Sequence, residues 1–281
     1  MTRGGRLAFF STCAAAIGAA VIAGASAPAQ ERSAAPALEI TGTTLRVRLA
    51  DGSTREGASL IGAVLRVVAG GQSLRVRIAS VAPDARDPNG EVLLYDFRVV
   101  LPSGAEEPLC LADPNGQRLA LPLAGRSDEA GILVEIGSGA FELFCTASPQ
   151  GKCVRLGYAP WRHAPDGRSM RDWFDACVRM MRGDYCGDGH HFTHNGTWID
   201  ISDRIGVQHS DEDPTLSFEA AWGPSGAICV ARTRVPELIT LDALARECPR
   251  LHGHLGPNVC TEKAADGLII NRSRPAERSA Q

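Results

Sequence analysis

The sequence lacks the short motifs that mark several common catalytic and binding centres. No serine lies in a Gly-x-Ser-x-Gly elbow, no glycine-rich loop has phosphate-binding spacing, and no two cysteines are separated by just two residues. Basic residues are not in excess, since the formal net charge is −3, and no arginine- or lysine-rich stripe is present. These absences disfavour a serine hydrolase, a nucleotide-binding fold, a cysteine-based zinc site and a nucleic-acid-binding protein.

The N-terminus has the three-part pattern of a secretory signal peptide. Arg3 and Arg6 precede an uncharged, alanine-rich run from Leu7 to Ala25, and small residues follow as far as Ala29. We expect residues 1–29 to be removed, which predicts export to the periplasm, the outer envelope or the exterior and leaves no membrane span. The run is nearly long enough to cross a bilayer, so an uncleaved anchor is the alternative.

Eight cysteines remain after Cys13 leaves with the signal peptide. An even number in an exported chain predicts four disulfides. The pairing is open: sequence proximity favours Cys177 with Cys186, Cys145 with Cys153 and Cys248 with Cys260, whereas Cys177 with Cys248 would join two helices. The full set is Cys110, Cys145, Cys153, Cys177, Cys186, Cys229, Cys248 and Cys260; the proximity scheme leaves Cys110 with Cys229.

Residues 38–140 are predicted to be rich in β-strands. In residues 44–53, apolar side chains alternate with arginines before an Asp51-Gly52 turn, and residues 64–81 form a hairpin pattern around Gly70-Gly71, where positive φ angles are needed. Further strands are predicted within residues 91–102, 118–125, 131–136 and 140–145. One sheet face is expected to be wet and to carry arginines, and the other to be buried.

Residues 141–262 are predicted to form a disulfide-braced portion with two short helices. The first runs from Ser169 to Gly183, with a capping box of Ser169 and Asp172, and the second from Thr240 to Cys248. With two strands around residues 223–226, the predicted fold class is α+β: a β-rich N-terminal portion of antiparallel hairpins followed by this second portion.

The two ends of the mature chain have too little apolar content to fold. Residues 30–37 are predicted to be a flexible leader and residues 271–281 a disordered tail.

Residues 184–200 contain three histidines that suggest zinc. His190 and His194 would share one face of a helix, but Asn195-Gly196 predicts a hairpin instead. In a strand, residues four apart are separated by about 13 Å, too far for one ion. The hairpin predicts that His191 and Asp200 are cross-strand partners that fix its register.

Asp184 and Asp188 are the candidate metal ligands of this region. They lie in a glycine-punctuated loop that could present oxygen atoms to Ca²⁺, although Tyr185 and Cys186 stand where further ligands would be needed. The alternative is that both carboxylates accept backbone N–H bonds in the turn after the first helix. No other cofactor is predicted.

Several segments together resemble a known family. Residues 176–189, "ACVRMMRGDYCGDG", are similar to the signature of the ADYC domain, a bacterial exported domain named after an Ala-Asp-Tyr-Cys tetrapeptide, with Gly183 in place of the alanine. Similar segments extend from about Gly57 to Cys260. The resemblance implies an exported domain with structural cysteines, and it implies no activity, cofactor or catalytic residue.

The sequence is therefore compatible with two classes of function. The first is a non-enzymatic binding or structural module with an unidentified envelope or extracellular partner. The second is a metal-dependent hydrolase or metal-binding enzyme that uses residues 184–200. Four tryptophans could line a carbohydrate or peptide groove, but such residues more commonly belong to the core.

Overall fold

The computed structural model describes residues 37–69, 71–134 and 140–274. The predicted signal peptide, residues 30–36 of the predicted leader, Gly70, residues 135–139 and residues 275–281 lie outside these ranges, and the last leader residue, Ala37, begins a strand. All described residues belong to one compact unit. Within them, no helix is long and apolar enough to cross a membrane.

The first half of the described chain is built from antiparallel strands, as the alternating pattern predicts. The strands are β1 (Ala37–Thr41), β2 (Thr44–Arg48), β3 (Thr54–Glu56), β4 (Val64–Ala69), β5 (Gln72–Pro83), β6 (Leu93–Val100), β7 (Glu106–Pro108), β8 (Ala120–Ala124), β9 (Arg126–Ser127), β10 (Leu133–Val134) and β11 (Phe141–Cys145). Strands β1, β2 and β3 form one sheet, and β9 pairs with β10. The largest sheet has the order β11-β8-β6-β5-β4, with β7 paired to β6. This sheet continues past the predicted boundary at residue 140.

The sheet of β1, β2 and β3 and the large sheet that contains β4 to β8 and β11 enclose a common apolar core. Leu45 of β2, Val76 and Ile78 of β5, and Phe97 of β6 are buried together. The backbone N–H of Leu45 donates to the hydroxyl of Tyr95 at 3.0 Å, which ties β2 to β6. Alternation places arginines on the opposite, wet face of the large sheet, as predicted.

The second half packs helices against a four-stranded antiparallel sheet. Its elements are α1 (Pro149–Arg155), α2 (Arg171–Arg182), β12 (Trp198–Asp203), β13 (Ser217–Gly223), β14 (Gly226–Val230), α3 (Leu241–Glu247) and β15 (Ile269–Arg274). The strand order is β12-β15-β13-β14. Helix α2 buries Trp173, Phe174 and Val178 in the same core as Trp222 of β13. The fold is α+β and dominated by strands.

Three local features differ from the sequence predictions. The capping box is wrong: α2 is preceded by Met170 without a side-chain cap. Helix α1 was not predicted, although Ser148, whose side chain accepts the N–H of Gly151, and Pro149 form a typical helix start. Asn271–Arg274 is not part of a disordered tail, because it lies in β15 between β12 and β13.

All eight predicted cysteines are joined in four disulfides. The pairs are Cys110–Cys145, Cys153–Cys177, Cys186–Cys248 and Cys229–Cys260. Neither the proximity pairings nor Cys177–Cys248 is formed. The reason is tertiary: Cys153 of the unpredicted α1 reaches Cys177 on α2, so the turn cysteine Cys186 is left to meet the end of α3.

Candidate functional site

The turn after α2, residues 183–189, is the first candidate site. Gly183 has a φ of 64°, which ends the helix in a left-handed conformation that favours glycine. The next residue, Asp184, is fully buried and forms an ion pair with Arg179. Its carboxylate also accepts the backbone N–H groups of Gly187 (2.8 Å), Asp188 (3.2 Å) and Gly189 (3.0 Å). Asp184 therefore organises the turn, as the alternative to a metal site predicts.

Asp188, the other candidate ligand, lies at the surface. Its carboxylate accepts the N–H of His190 at 3.0 Å and lies 3.1 Å from that residue's Nδ1. Partial burial opposes ionisation, but the hydrogen bonds and charge of His190 outweigh it and lower the pKa of Asp188. Within the described ranges, no group of three or more His, Cys, Asp or Glu side chains is arranged to hold a metal ion.

The prediction of a histidine hairpin is wrong, although the predicted turn forms. The N–H of Thr197 donates to the carbonyl of His194 at 3.3 Å across Asn195-Gly196. Residues 191–194 form no strand, however, and β12 pairs with β15 instead. Asp200 is buried and accepts hydrogen bonds from Ser210 and Asp211, so it is not the partner of His191.

Tertiary contacts explain where the histidine segment goes. The N–H of Phe192 donates to the carbonyl of Arg182 at 3.1 Å, and its ring stacks on Tyr185 with centroids 6.4 Å apart. The segment is thereby held against the end of α2. His190, His191 and His194 are left exposed.

Tyr185 of the same turn enters a buried polar network with Glu219 of β13 and Arg234. The Tyr185 hydroxyl donates to Glu219 and accepts the backbone N–H of Arg234, at 3.0 and 2.8 Å. The Nε and Nη2 atoms of Arg234 both donate to the Glu219 carboxylate at 3.0 Å. Both charged side chains are completely buried, so each neutralises the other away from the solvent-accessible surface.

Strand β15 completes this network. Asn271 donates to Glu219 at 3.0 Å and accepts the indole N–H of Trp222 at 2.7 Å, and the Ser273 hydroxyl also donates to Glu219. Burial alone would raise the pKa of Glu219, but Arg234 and these donors hold it below its usual value. Burial and the Glu219 charge raise the pKa of Tyr185. The network is ionised, satisfied and closed to solvent.

Arg250 and a disulfide fasten the outer side of the turn. The guanidinium of Arg250 donates to the carbonyls of Tyr185 (2.6 Å), Cys186 (3.0 Å) and Ala227 (2.7 Å). Cys186 is bonded to Cys248. The turn is thus anchored to β14 and to the end of α3.

Sequence reasoning did not identify Glu219, Arg234 or Asn271. A usable signal was present for Glu219, because it is the one polar residue in the run "FEAAW", whereas Arg234 follows Arg232 and Thr233 in "ICVARTRV". A charge in a buried strand requires a partner. The sequence could not show that these two residues are each other's partner.

A second candidate is a groove of about 770 Å³ in the first half of the chain, which we call the strand-edge groove. Every residue from Ser59 to Arg66 lines one side, Leu38, Val47 and Leu49 line another, and Phe141 of β11 also contributes. Its volume is in the range of small-molecule and peptide clefts. Arg55 and Arg66 are the charged residues among its described lining.

A smaller cavity of about 340 Å³ lies beside α1. Two arginines line it: Arg86 is exposed, whereas Arg155 is paired with Asp84 at 2.7 Å and with Asp113 at 3.2 Å, with all three of those side chains nearly buried. These pairs join α1 to the N-terminal sheets. The Arg155 charge is therefore already matched within the chain, whereas Arg86 forms no ion pair among the described residues.

The fold and these sites define a disulfide-braced α+β domain whose Gly-Asp-Tyr-Cys turn is a buried structural centre. Residues 57–236 match the family model of the ADYC domain, so the chain belongs to the ADYC domain family. This confirms the family inferred from the sequence, and the match begins at the residue where the resemblance begins. No curated protein and no solved structure matches the chain.

Proposed function

We propose that this ADYC-domain chain is an exported, non-enzymatic module that binds a partner in the strand-edge groove. The observation that carries the proposal is the groove itself, an open and mainly apolar cleft of about 770 Å³ with two arginines in its described lining. The acidic residues of the turn after α2 are less suited than this groove to bind a partner. Asp184 is engaged by Arg179 and three backbone N–H groups.

Export is supported by two independent features. The N-terminal sequence has the signal-peptide pattern, and four disulfides are typical of chains that fold in an oxidising compartment. Expression with residues 1–29 should yield an extracytoplasmic chain that begins at Gln30 and has lost two hydrogens for each disulfide. Recovery of a reduced cytoplasmic chain would contradict export.

Binding at the groove can be tested in cells by site-specific photo-crosslinking. A photoreactive residue replaces Ile61, which lines the groove and is 51% exposed, and a matched chain carries it at Leu111, which is 81% exposed elsewhere. We expect a discrete adduct from position 61 and none from position 111. Equal labelling, or no adduct at position 61, would contradict a binding role for the groove.

The purified mature chain can be used to test the alternative of a metal-dependent enzyme at residues 184–200. Native mass spectrometry would detect a retained ion, and Asp188→Asn should release it while leaving the buried Asp184 contacts intact. A retained ion with hydrolytic activity that is lost in this variant would favour the enzyme over the binding module.

A further inference from the structure

We infer that the occupant of the strand-edge groove is an extended polypeptide strand with an acidic side chain, which adds to the free edge of β4. The inference rests on the proposed function and specifies the class of partner. It follows from the position of the groove, the direction of the β4 backbone groups and the charge of the surrounding side chains.

The groove lies along the edge of the first half of β4 and not along one of its faces. Side chains alternate across a strand, so a cavity over one face would touch every second residue. Val64, Leu65 and Arg66 are consecutive, and all three line the groove. Because β4 is the last strand of its sheet, its second edge pairs with no strand in the described part of the chain.

The free edge presents hydrogen-bonding groups at alternate residues. The carbonyl of Ala63 accepts the N–H of Ile78 of β5 at 2.9 Å. Since bonded and non-bonded pairs alternate in an antiparallel ladder, Val64, Arg66 and Val68 direct their N–H and C=O groups away from β5. A polypeptide backbone supplies the complementary groups at the same spacing.

The walls of the groove favour apolar side chains on one face of the added strand. Leu38 and Val47 of the first sheet line it, together with Phe141 of β11, the strand at the opposite end of the β4 sheet. A strand placed beside β4 would cover these side chains. Strand β4 itself carries no proline, and its Val68 is 75% exposed, so Arg66 is its one charged side chain that limits which strands can pair with the edge.

The other face of the added strand favours an acidic side chain. Arg66 lies directly opposite Arg75 of β5, and like charges in this position repel each other. Neither arginine forms an ion pair within the described residues, unlike the neighbouring Arg77, which pairs with Glu106. An acidic side chain opposite Arg66 would relieve the repulsion. A second copy of β4 would instead bring another arginine, its own Arg66, to this edge, so self-pairing is disfavoured.

A library of random nine-residue peptides displayed on phage is the probe. Selection on the oxidised mature chain should enrich sequences with apolar residues at every second position and an Asp or Glu between them. Arg66→Glu should weaken the selected peptides at least tenfold, while Arg246→Glu, an equal charge change on the exposed side of α3, should leave them unaffected.

Backbone methylation of a selected peptide separates strand addition from other modes of binding. N-methyl groups on the alternate amides that face β4 should abolish binding, whereas N-methyl groups on the intervening amides should be tolerated. Equal effects of the two sets of N-methyl groups would overturn strand addition. This comparison requires no substitution in the protein.

Other outcomes are equally decisive. Failure to enrich peptides, enrichment that ignores Arg66, or binding of anionic lipid vesicles in place of peptides would overturn the inference. Dimerisation through β4, seen by sedimentation and lost in Arg66→Glu, would do the same. If the crosslink at position 61 persists in these cases, only the class of occupant is wrong; if it is also absent, the binding function fails too.

Discussion

Removal of the Glu219 charge should strongly destabilise the domain. In Glu219→Gln the shape of the side chain is nearly kept, but the guanidinium of Arg234 remains completely buried without its counter-ion. Breaking a buried pair from one side costs about 3–5 kcal/mol. For a domain of this size, that corresponds to a fall in Tm of roughly 6–20 °C.

Urea unfolding of the oxidised chain, followed by far-UV circular dichroism, measures this cost. Glu56→Gln is the matched control, because Glu56 pairs with Arg46 at 2.7 Å but its side chain is 52% exposed. The control should lose less than about 1 kcal/mol. A loss in Glu219→Gln that is no larger than in Glu56→Gln would refute the reasoning.

A double substitution identifies the cause of the loss. In Glu219→Gln with Arg234→Met, the buried guanidinium is gone as well, so much of the lost stability should return. If the loss in the double variant equals the sum of the losses in Glu219→Gln and in Arg234→Met, the destabilisation comes from packing and not from an uncompensated charge.

Three further predictions concern the turn, a disulfide and pH. Gly187→Ala should cost about 1–3 kcal/mol more than Gly116→Ala by urea midpoint, because both residues have a φ of 77° but only at Gly187 would a Cβ overlap the Ser225 carbonyl. Equal costs would refute the steric explanation. Replacing Cys186 and Cys248 by alanine, which opens a loop with a sequence separation of 62, should lower the free energy of unfolding by about 4 kcal/mol; an unchanged midpoint would contradict this. Burial, partly offset by Arg171, raises the pKa of Asp175 to about 6, so the folded state gains stability as pH falls through 6 towards 4. Asp175→Asn should remove that gain and raise the free energy of unfolding at pH 7 by up to about 3 kcal/mol. A variant whose Tm depends on pH in the same way as that of the unmodified chain would refute this prediction.

The local structure could be predicted where neighbouring residues determine it. Alternating residues predict β2, β5 and β6 because one face of each strand is buried, and Gly183 marks the end of α2 because only a left-handed residue closes that turn. The family could also be recognised from the residues around this turn. These features depend on contacts within a few positions of the chain.

Pairings between distant residues could not be predicted. The Asn195-Gly196 turn forms, but β12 finds a partner in β15, whose second half, residues 271–274, has too few apolar residues to suggest a strand. Asn271 is tolerated in the core because Glu219 and Trp222 satisfy its side chain. Sequence shows the polarity of such a residue and not the partner that makes its burial possible.

The structural domain also extends beyond the segment that defines the family. The match ends at residue 236, yet Glu219 within it accepts hydrogen bonds from Asn271 and Ser273 of β15. Strand β15 separates β12 from β13, so without it these two strands would have no common partner. Cys186, the last residue of the family tetrapeptide, is likewise bonded to Cys248 after the match ends. The turn that identifies the family is therefore held in place by residues as far along the chain as β15, and the folded unit reaches at least Arg274.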